Sequence, residues 1–101
     1  DYKSKRWKKK RQVILKLDGY TDRIEARYGR RTEADTVHHI YPAEEYPEYA
    51  FENWNLISVS AKTHNTFHHR ETRELTAAGR QLMNRTKPGE DWRRKSKRKS
   101  S

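Results

Sequence analysis

The alternation of hydrophobic and polar residues predicts a basic helix at the start of the chain. Residues 3–17 have helical periodicity and end at Asp18-Gly19, where glycine tolerates the left-handed backbone of a helix terminus. Residues 20–31 contain tyrosine, arginine and glycine, with a turn expected at Gly29. The apolar positions of the helix that are available for burial are Trp7, Val13, Ile14 and Leu17.

Two short strands are predicted in the middle of the chain. Residues 36–41 are β-branched, aromatic or histidine and stop before Pro42, as a short strand would. Residues 54–60 alternate between polar and apolar, which is typical of a half-buried strand. Between the strands, residues 42–53 form an acidic and aromatic loop with the sequence PAEEYPEYAFEN.

Two further helices complete the predicted order of helix, strand, strand, helix, helix, which is an α+β fold. The first covers residues 61–73. The second covers residues 76–85, with Thr76 as its N-cap and Leu75 placed to pack back onto it. Lys87-Pro88-Gly89 then breaks the helical pattern. No internal repeat is evident.

Composition restricts the chain to a small domain with a thin core. It has 101 residues, of which 31% are hydrophobic and 38% are charged, and it has no cysteine. Disulfides and thiolate metal sites are therefore excluded. No apolar run approaches the ~20 residues needed to cross a bilayer, and no apolar segment of a signal peptide follows the basic N-terminus. We therefore expect a soluble cytoplasmic protein with neither a membrane partner nor a disulfide partner.

The net charge of +10 belongs to the two ends of the chain. Residues 1–11 contain seven basic residues and one acidic residue, and residues 91–101 contain six basic and one acidic. Such runs bind polyanions by releasing counterions, so nucleic acid is the favoured partner. A need for solubility, binding to a membrane surface or a localisation signal could also account for these runs. Phosphate contacts alone would not make binding sequence-specific.

All five histidines lie between residues 38 and 69. His64 and His68 are four apart, so on a helix they share one face and could share a metal ion. The His38-His39 pair at the end of a strand strengthens that interpretation. The alternative is that His38 or His39 is a hydrogen-bonded core residue and the others are solvated. His69 would point away from the face of the other two helix histidines.

The segment 34–70 resembles the HNH nucleases, which share the ββα-metal (His-Me finger) fold. Their pattern is an (Asp/His)-His pair, a variable loop, an Asn-Leu or Asn-Ile at a strand start, and a helix with His-x-x-x-His. Asn55 precedes His64 by nine residues here, and His68 follows four later. Asp18-Gly19-Tyr20 also resembles the lead-in of small stand-alone phage and bacterial members.

The resemblance extends over roughly residues 6–85 and implies a ββα-metal domain with flanking N- and C-terminal helices. We accordingly divide the chain into a basic N-terminal segment that begins the helix (1–11), a nuclease domain (12–86) and a flexible basic C-terminal tail (87–101).

The resemblance also implies roles for individual residues. His39 would act as the general base that deprotonates the attacking water, and Asn55 would orient the backbone around it. One divalent cation would be held by His38, His64 and His68. Adjacent strand residues face opposite sides, so His38 and His39 can serve one phosphate only if the strand ends or is distorted there.

Three neutral imidazoles favour Zn²⁺ or Ni²⁺ by affinity, although Mn²⁺ or Mg²⁺ could support more turnover. Of the nearby cationic side chains, Lys62, Arg70 and Arg73 are expected to bind DNA phosphates, with Arg70 the strongest candidate. The acidic loop around Glu44, Glu45 and Glu48 would repel DNA and is expected to lie away from its path.

One departure from the family pattern concerns structural zinc. Many relatives carry two Cys-x-x-Cys knuckles, and the corresponding places here are Asp22-x-x-Glu25 and Ser60-x-x-Thr63. A structural zinc of that kind is therefore not expected.

The function that the resemblance implies is a metal-dependent endonuclease hydrolysing DNA phosphodiester bonds, by nicking or double-strand cleavage. Membership of the phage type would place it beside the terminase in DNA packaging, in the host bacterial cytoplasm. The alternative is a non-catalytic, metal-stabilised nucleic-acid-binding module. A third interpretation is the toxic nuclease domain of a bacteriocin, for which a longer chain and an immunity partner would be expected.

Overall fold

The computed structural model describes residues 4–94 and confirms the predicted α+β class. Its helices and strands follow the order α1 (Lys5–Leu17), α2 (Arg23–Ala26), β1 (Thr36–His39), β2 (Leu56–Val59), α3 (Ala61–Asn65) and α4 (Ala77–Arg85). Two short 3₁₀ turns, Pro47–Tyr49 and Asn53–Asn55, lie in the loop between the strands. The consecutive β1, β2 and α3 form the ββα unit, and α1 and α4 flank it.

Local signals at both ends define α1. The Ser4 side chain accepts a hydrogen bond from the backbone N–H of Trp7, which satisfies one of the unpaired donors of the first turn. At the other end Gly19 has a φ of +65°, as predicted for the helix stop. The buried face differs in part from the prediction, because Val13 and Leu17 remain about half exposed. The buried α1 residues are Trp7, Ile14 and Leu15.

The two strands form an antiparallel pair that is covered on both faces. His39 pairs with Leu56 and His38 with Ile57. The face toward α1 belongs to a core cluster of Trp7, Ile14, Leu15, Ala34, Val37 and Leu56. The other face belongs to a cluster of Ile40, Ile57, Val59, Phe67 and Leu82. Every residue of β2 is therefore buried, whereas the alternating sequence predicted a half-buried strand.

The helix that follows β2 is shorter than predicted. The interval 61–73 was expected to be one helix, but α3 ends at Asn65 and Thr66 caps it. The chain then turns, and His68 forms an isolated β-bridge with Leu75. The last helix agrees with the prediction, since the Thr76 hydroxyl accepts from the Gly79 N–H at the start of α4.

Ordered structure continues beyond residue 86, where the nuclease domain was expected to end. The indole N–H of Trp92 donates to the Trp54 carbonyl, and Arg93 forms an ion pair of 2.6 Å with the buried Asp18. This differs from the flexible tail expected from residue 87. Partial burial of the Trp92 indole and the ion pair of Arg93 with Asp18 hold the segment in place. The remainder of that tail, residues 95–101, and residues 1–3 lie outside the described residues.

Within residues 4–94, no helix combines the length and the apolar composition needed to cross a membrane.

Candidate active site

The end of β1 places two adjacent histidines on opposite faces of the sheet. The His38 ring packs on Phe67 at a centroid distance of 4.6 Å, whereas the His39 ring stacks on Trp7 at 4.8 Å. Because β1 ends at His39, both rings still line one cleft of about 430 Å³. The sequence had raised the difficulty that neighbours on a strand face apart. That difficulty does not apply here, because β1 ends at His39.

The structure brings His38, His64 and His68 together. One ring nitrogen from each lies within 4.8 Å of the other two. His38 is 1% exposed, and neither of its ring nitrogens has a hydrogen-bond partner in the described part of the chain. A buried polar atom without a partner is costly, and a metal ion would satisfy it. The donor set therefore fits a divalent cation.

His64 and His68 meet by a route that the sequence did not predict. His64 lies on α3, but His68 lies beyond its end, after the turn at Thr66. The buried Phe67 and the bridge to Leu75 return the chain, and the two imidazole rings approach to 4.9 Å between centroids. The pair is therefore held by tertiary contacts rather than by one helical face.

A backbone carbonyl sets the tautomer of the third ring. Nδ1 of His68 donates to the carbonyl of Arg73 at 3.0 Å, so the lone pair of a neutral ring is on Nε2. Carbonyl partners of this kind orient histidine ligands in metal sites. Arg73 itself has a φ of +68°, an uncommon conformation for a residue other than glycine.

Burial favours the neutral form of two of the three candidate ligand rings, His38 and His64. The pKa of His38 is lowered well below its ordinary value by burial first and then by the neighbouring His64, His68 and His39. Burial and the nearby His68 and Arg73 lower the pKa of His64 to about 4. Because a metal binds the unprotonated imidazole, these shifts favour coordination at neutral pH.

His39 is oriented by a different contact. Its Nε2 donates to the Ala50 carbonyl at 3.1 Å, which puts the lone pair of the neutral ring on Nδ1. Burial lowers the pKa of His39, and the Ala50 hydrogen bond opposes that shift. A neutral, oriented imidazole beside the three-histidine cluster can accept a proton from water.

The side chain of Asn55 is fully buried and forms hydrogen bonds to backbone groups. Its carbonyl oxygen accepts from the Tyr41 N–H at 2.7 Å, and its amide donates to the carbonyls of Tyr41 and Tyr49, both at 3.1 Å. Tyr41 follows β1, and Tyr49 precedes Ala50. The amide therefore fixes both parts of the chain that orient His39.

A carboxylate links the two places where cysteine knuckles occur in relatives. Asp22, which is fully buried, accepts from the N–H groups of Ile24 and Glu25 and from the Ser60 N–H, each at 2.9 Å. It thereby caps α2 and holds the start of α3, the helix that carries His64. This role of Asp22 was not predicted from the sequence, although Asp22-x-x-Glu25 has the spacing of a helix N-cap.

The structure places two of the three predicted DNA contacts beside the histidine cluster and the third away from it. Arg70 and Arg73 line a pocket with His64 and His68, but Arg70 lies in the turn after α3 rather than on the helix. Lys62 is exposed on α3 and is not among the described residues that line either opening.

Two residues of the cleft were assigned differently or missed. Glu44 lines the cleft that contains His38 and His39, so the expectation that the acidic loop lies away from this site is wrong for Glu44, whereas Glu45 and Glu48 are not among the described residues that line the cleft. Arg11 also lines that cleft, and its guanidinium donates to the Asp35 carbonyl. Arg11 belongs to the Trp7…Arg11…Leu15 lead-in that resembles the small phage and bacterial members, but no role at the cleft was predicted for it from the sequence.

Comparison with known proteins gives one informative result. No protein-family model matches the sequence, and no curated protein matches it. Among solved structures, the chain is similar to the HNH endonuclease of the deep-sea thermophilic bacteriophage GVE2, solved with a manganese ion. The TM-score is 0.62 and the identity 28%, over 63% of this chain and 70% of that one.

The similarity to this phage enzyme agrees with the independent observation of a three-histidine cluster beside the ββα unit. Both agree with the motif resemblance of residues 34–70. The structural match and the three-histidine cluster therefore support membership of the HNH endonuclease family.

Proposed function

We propose that this protein is a metal-dependent endodeoxyribonuclease whose site is the cleft at the end of β1. The observation that carries the proposal is the buried, unpartnered His38 within 4.8 Å of ligand atoms of His64 and His68, beside His39. A purely structural histidine cluster would not require an oriented fourth imidazole at the same cleft. Hydrolysis of a phosphodiester needs an activated water, and an oriented neutral imidazole can activate it as a general base.

His39 is the general base in this proposal. Its Nδ1 takes a proton from the water that attacks phosphorus, and the Ala50 carbonyl stabilises the imidazolium through Nε2–H. Asn55 is a positioning residue, because it holds the backbone on both sides of that contact. The stacked Trp7 limits rotation of the ring.

His38, His64 and His68 would hold one divalent cation. When bound, the ion supplies Lewis-acid stabilisation of charge on the phosphate and on the leaving oxygen. We propose that Zn²⁺ or Ni²⁺ binds tightest, because the donors are three imidazoles. Mn²⁺, which is present in the structure of the phage GVE2 enzyme, and Mg²⁺ are the candidates for turnover.

DNA is the proposed substrate because the positive charge is concentrated in the terminal segments of the sequence and at the cleft, whereas the rest of the sequence is nearly neutral. The net charge of +10 resides in the terminal segments, and Arg11 and Arg73 line the cleft itself. Arg70 is placed beside the ligand histidines, whereas Lys62 is the least supported of the three predicted contacts.

A plasmid-cleavage assay after chelation, with metal added back, tests the proposal. We expect the wild type to convert supercoiled DNA only with added metal. His39→Ala should lose cleavage by at least about a hundredfold, the usual contribution of a general base, yet keep the metal-dependent rise in melting temperature. His38→Ala should lose both.

The same assay separates the alternative, a non-catalytic nucleic-acid-binding module. In that case the wild type would bind DNA and metal without cutting, and His39→Ala would change little. Cleavage that persists in chelator would contradict the metal role.

A place in phage DNA packaging beside the terminase, within the host cytoplasm, is supported by the Asp18-Gly19-Tyr20 resemblance and by the phage origin of the similar structure. Co-purification with phage terminase subunits would test it. Failure to bind them would contradict this role and leave the nuclease assignment unaffected.

A further inference from the structure

The three-histidine cluster borders a second opening besides the cleft of His39. This second opening, here called the loop pocket, has a volume of about 400 Å³. It shares His64, His68 and Arg73 with the cleft. The other side chains that line the loop pocket are Asn65, His69 and Arg70.

The loop pocket is cationic because of how the segment 69–74 folds. The His69 N–H donates to the Glu74 carbonyl at 2.8 Å, and the Arg73 N–H donates to the His69 carbonyl at 2.9 Å, which closes a tight loop. Arg70 and Arg73 line the pocket, whereas neither Glu71 nor Glu74 is among its lining residues within the described chain. Residues 69–74 have no net formal charge, but the fold places both arginine side chains at the pocket and leaves the two glutamates out of its lining.

Arg73 connects this pocket to the candidate metal ligands. Its carbonyl accepts from Nδ1 of His68 at 3.0 Å, while its side chain lines both openings. The φ of +68° is the conformation in which the backbone makes the loop hydrogen bonds. The backbone carbonyl of Arg73 therefore orients the His68 ring, while the guanidinium of Arg73 can bind an anion in the pocket.

We propose that the loop pocket binds a backbone phosphate next to the phosphate that is cleaved, through Arg70 and Arg73. The inference rests on the proposed nuclease function. Guanidinium groups bind phosphate oxygens in a bidentate manner, and successive phosphates of a strand are about 3.4 Å apart along the duplex axis. A pocket that shares His64 and His68 with the metal cluster is therefore placed for a phosphate close in sequence to the scissile one.

The first test measures DNA binding against salt concentration and needs no cleavage. The variants are Arg70→Gln and Arg73→Gly. Glycine tolerates the positive φ, so the carbonyl that holds His68 should stay in place. Each variant should reduce the slope of log affinity against log salt by about 1. Arg73→Gly should still show the wild-type rise in melting temperature with Mn²⁺.

The second test locates the phosphate. In a His39→Ala background, an oligonucleotide is prepared with a neutral methylphosphonate at each position flanking the cleavage site mapped with the wild type. One flanking position should weaken binding about tenfold, as expected for loss of a charge-assisted hydrogen bond. Adding Arg70→Gln should abolish that sensitivity. Adding Arg85→Gln, an equal charge change at the exposed end of α4, should not.

The outcomes for the pocket and for the nuclease are distinct. Equal methylphosphonate sensitivity with and without Arg70→Gln, or an unchanged salt slope in both variants, would overturn the loop-pocket proposal even if DNA is cut. A protein that binds DNA with the predicted slopes but never cuts it would retain the phosphate site and lose the nuclease assignment.

Discussion

The side chain of Asn55 binds both backbone groups of Tyr41, accepting from its N–H at 2.7 Å and donating to its carbonyl at 3.1 Å. Tyr41 lies two residues after His39, at the point where β1 has ended. A buried amide thus replaces the hydrogen bonds that a continuing strand would have supplied. The same amide reaches Tyr49, next to the residue that accepts from His39.

Replacement of Asn55 should therefore affect catalysis more than metal binding. Asn55→Ala leaves one N–H and two carbonyls without this partner, at a cost of about 2–3 kcal/mol in the free energy of unfolding. We expect kcat to fall because Ala50 and His39 lose their fixed relation. The Mn²⁺-dependent rise in melting temperature should persist, since the amide touches none of the three candidate ligands. Loss of that rise would show that Asn55 supports the metal site instead.

A second long-range contact predicts that the C-terminal segment is structural. Arg93 binds both carboxylate oxygens of Asp18, at 2.6 and 3.0 Å, and also donates to the carbonyls of Asn53 and Leu56. Arg93→Met would leave a buried carboxylate without its cation, so the free energy of unfolding should fall by about 3–5 kcal/mol.

Urea unfolding of Arg93→Met and of Arg94→Met measures this effect. Arg94 is exposed, so its replacement should change stability by no more than about 0.5 kcal/mol. Equal effects of the two substitutions would mean that the ion pair contributes nothing beyond general charge.

These two contacts show which features could be predicted from sequence. The helix cap at Thr76, the strand that ends before Pro42 and the Asn55 motif are specified by neighbouring residues, and each was predicted near its observed place. The contact of Arg93 with Asp18 joins residues 75 apart, and local patterns contain no information about it. An exposed basic tail and a basic segment with one partly buried arginine look alike in sequence.

The histidine cluster was predicted in part from local sequence patterns, but its geometry also depends on tertiary contacts. Its members were predicted from spacing and resemblance, but the geometry was attributed to a helix that continues past His68. Helical propensity did not predict the end of α3, because burial of Phe67 and the bridge from His68 to Leu75 are tertiary interactions. The right residues were therefore predicted to meet for a reason that was partly wrong.

The close packing of Gly79 on the turn before His68 gives a third prediction. A Cβ atom at this position would lie 2.6 Å from the carbonyl oxygen of Phe67 and 2.8 Å from Cδ2 of Leu75. Gly79→Ala should therefore lower the free energy of unfolding by about 1–3 kcal/mol through overpacking, although alanine is the better helix former by about 1 kcal/mol.

The exposed neighbour Ala78 provides the control. Ala78→Gly, in the first turn of α4, should cost at most about 1 kcal/mol from helix propensity alone. Both changes should therefore destabilise, although one adds a methyl group and the other removes it. Stabilisation by Gly79→Ala would indicate that α4 can move away from the turn without cost.

The Asp22 carboxylate, which joins α2 to the start of α3, makes stability depend on pH. Its pKa is lowered from the ordinary value of 3.8: burial acts to raise it, but the hydrogen bonds from Ser60, Thr63 and Glu25 together outweigh burial. A carboxylate whose pKa is lower in the folded state contributes stability above its unfolded pKa, and that contribution is lost as the pH falls through the folded value. Stability from Asp22 should therefore be constant above about pH 5 and decline below pH 3.8.

The fourth prediction compares Asp22→Asn with the wild type across this pH range. Asn keeps one acceptor oxygen for the N–H groups of Ile24 and Glu25, but its NH2 group cannot accept from the Ser60 N–H. Asp22→Asn should therefore be less stable than the wild type at neutral pH. The gap between the two unfolding free energies should narrow as the pH falls below 3.8, because the wild type then loses the charge that the variant never had. Urea unfolding of both proteins between neutral and acidic pH gives the comparison, with Glu44→Gln as a control, since that carboxylate is exposed at the cleft. A gap that stays constant across the acidic range would assign the effect to side-chain shape rather than to the ionised carboxylate.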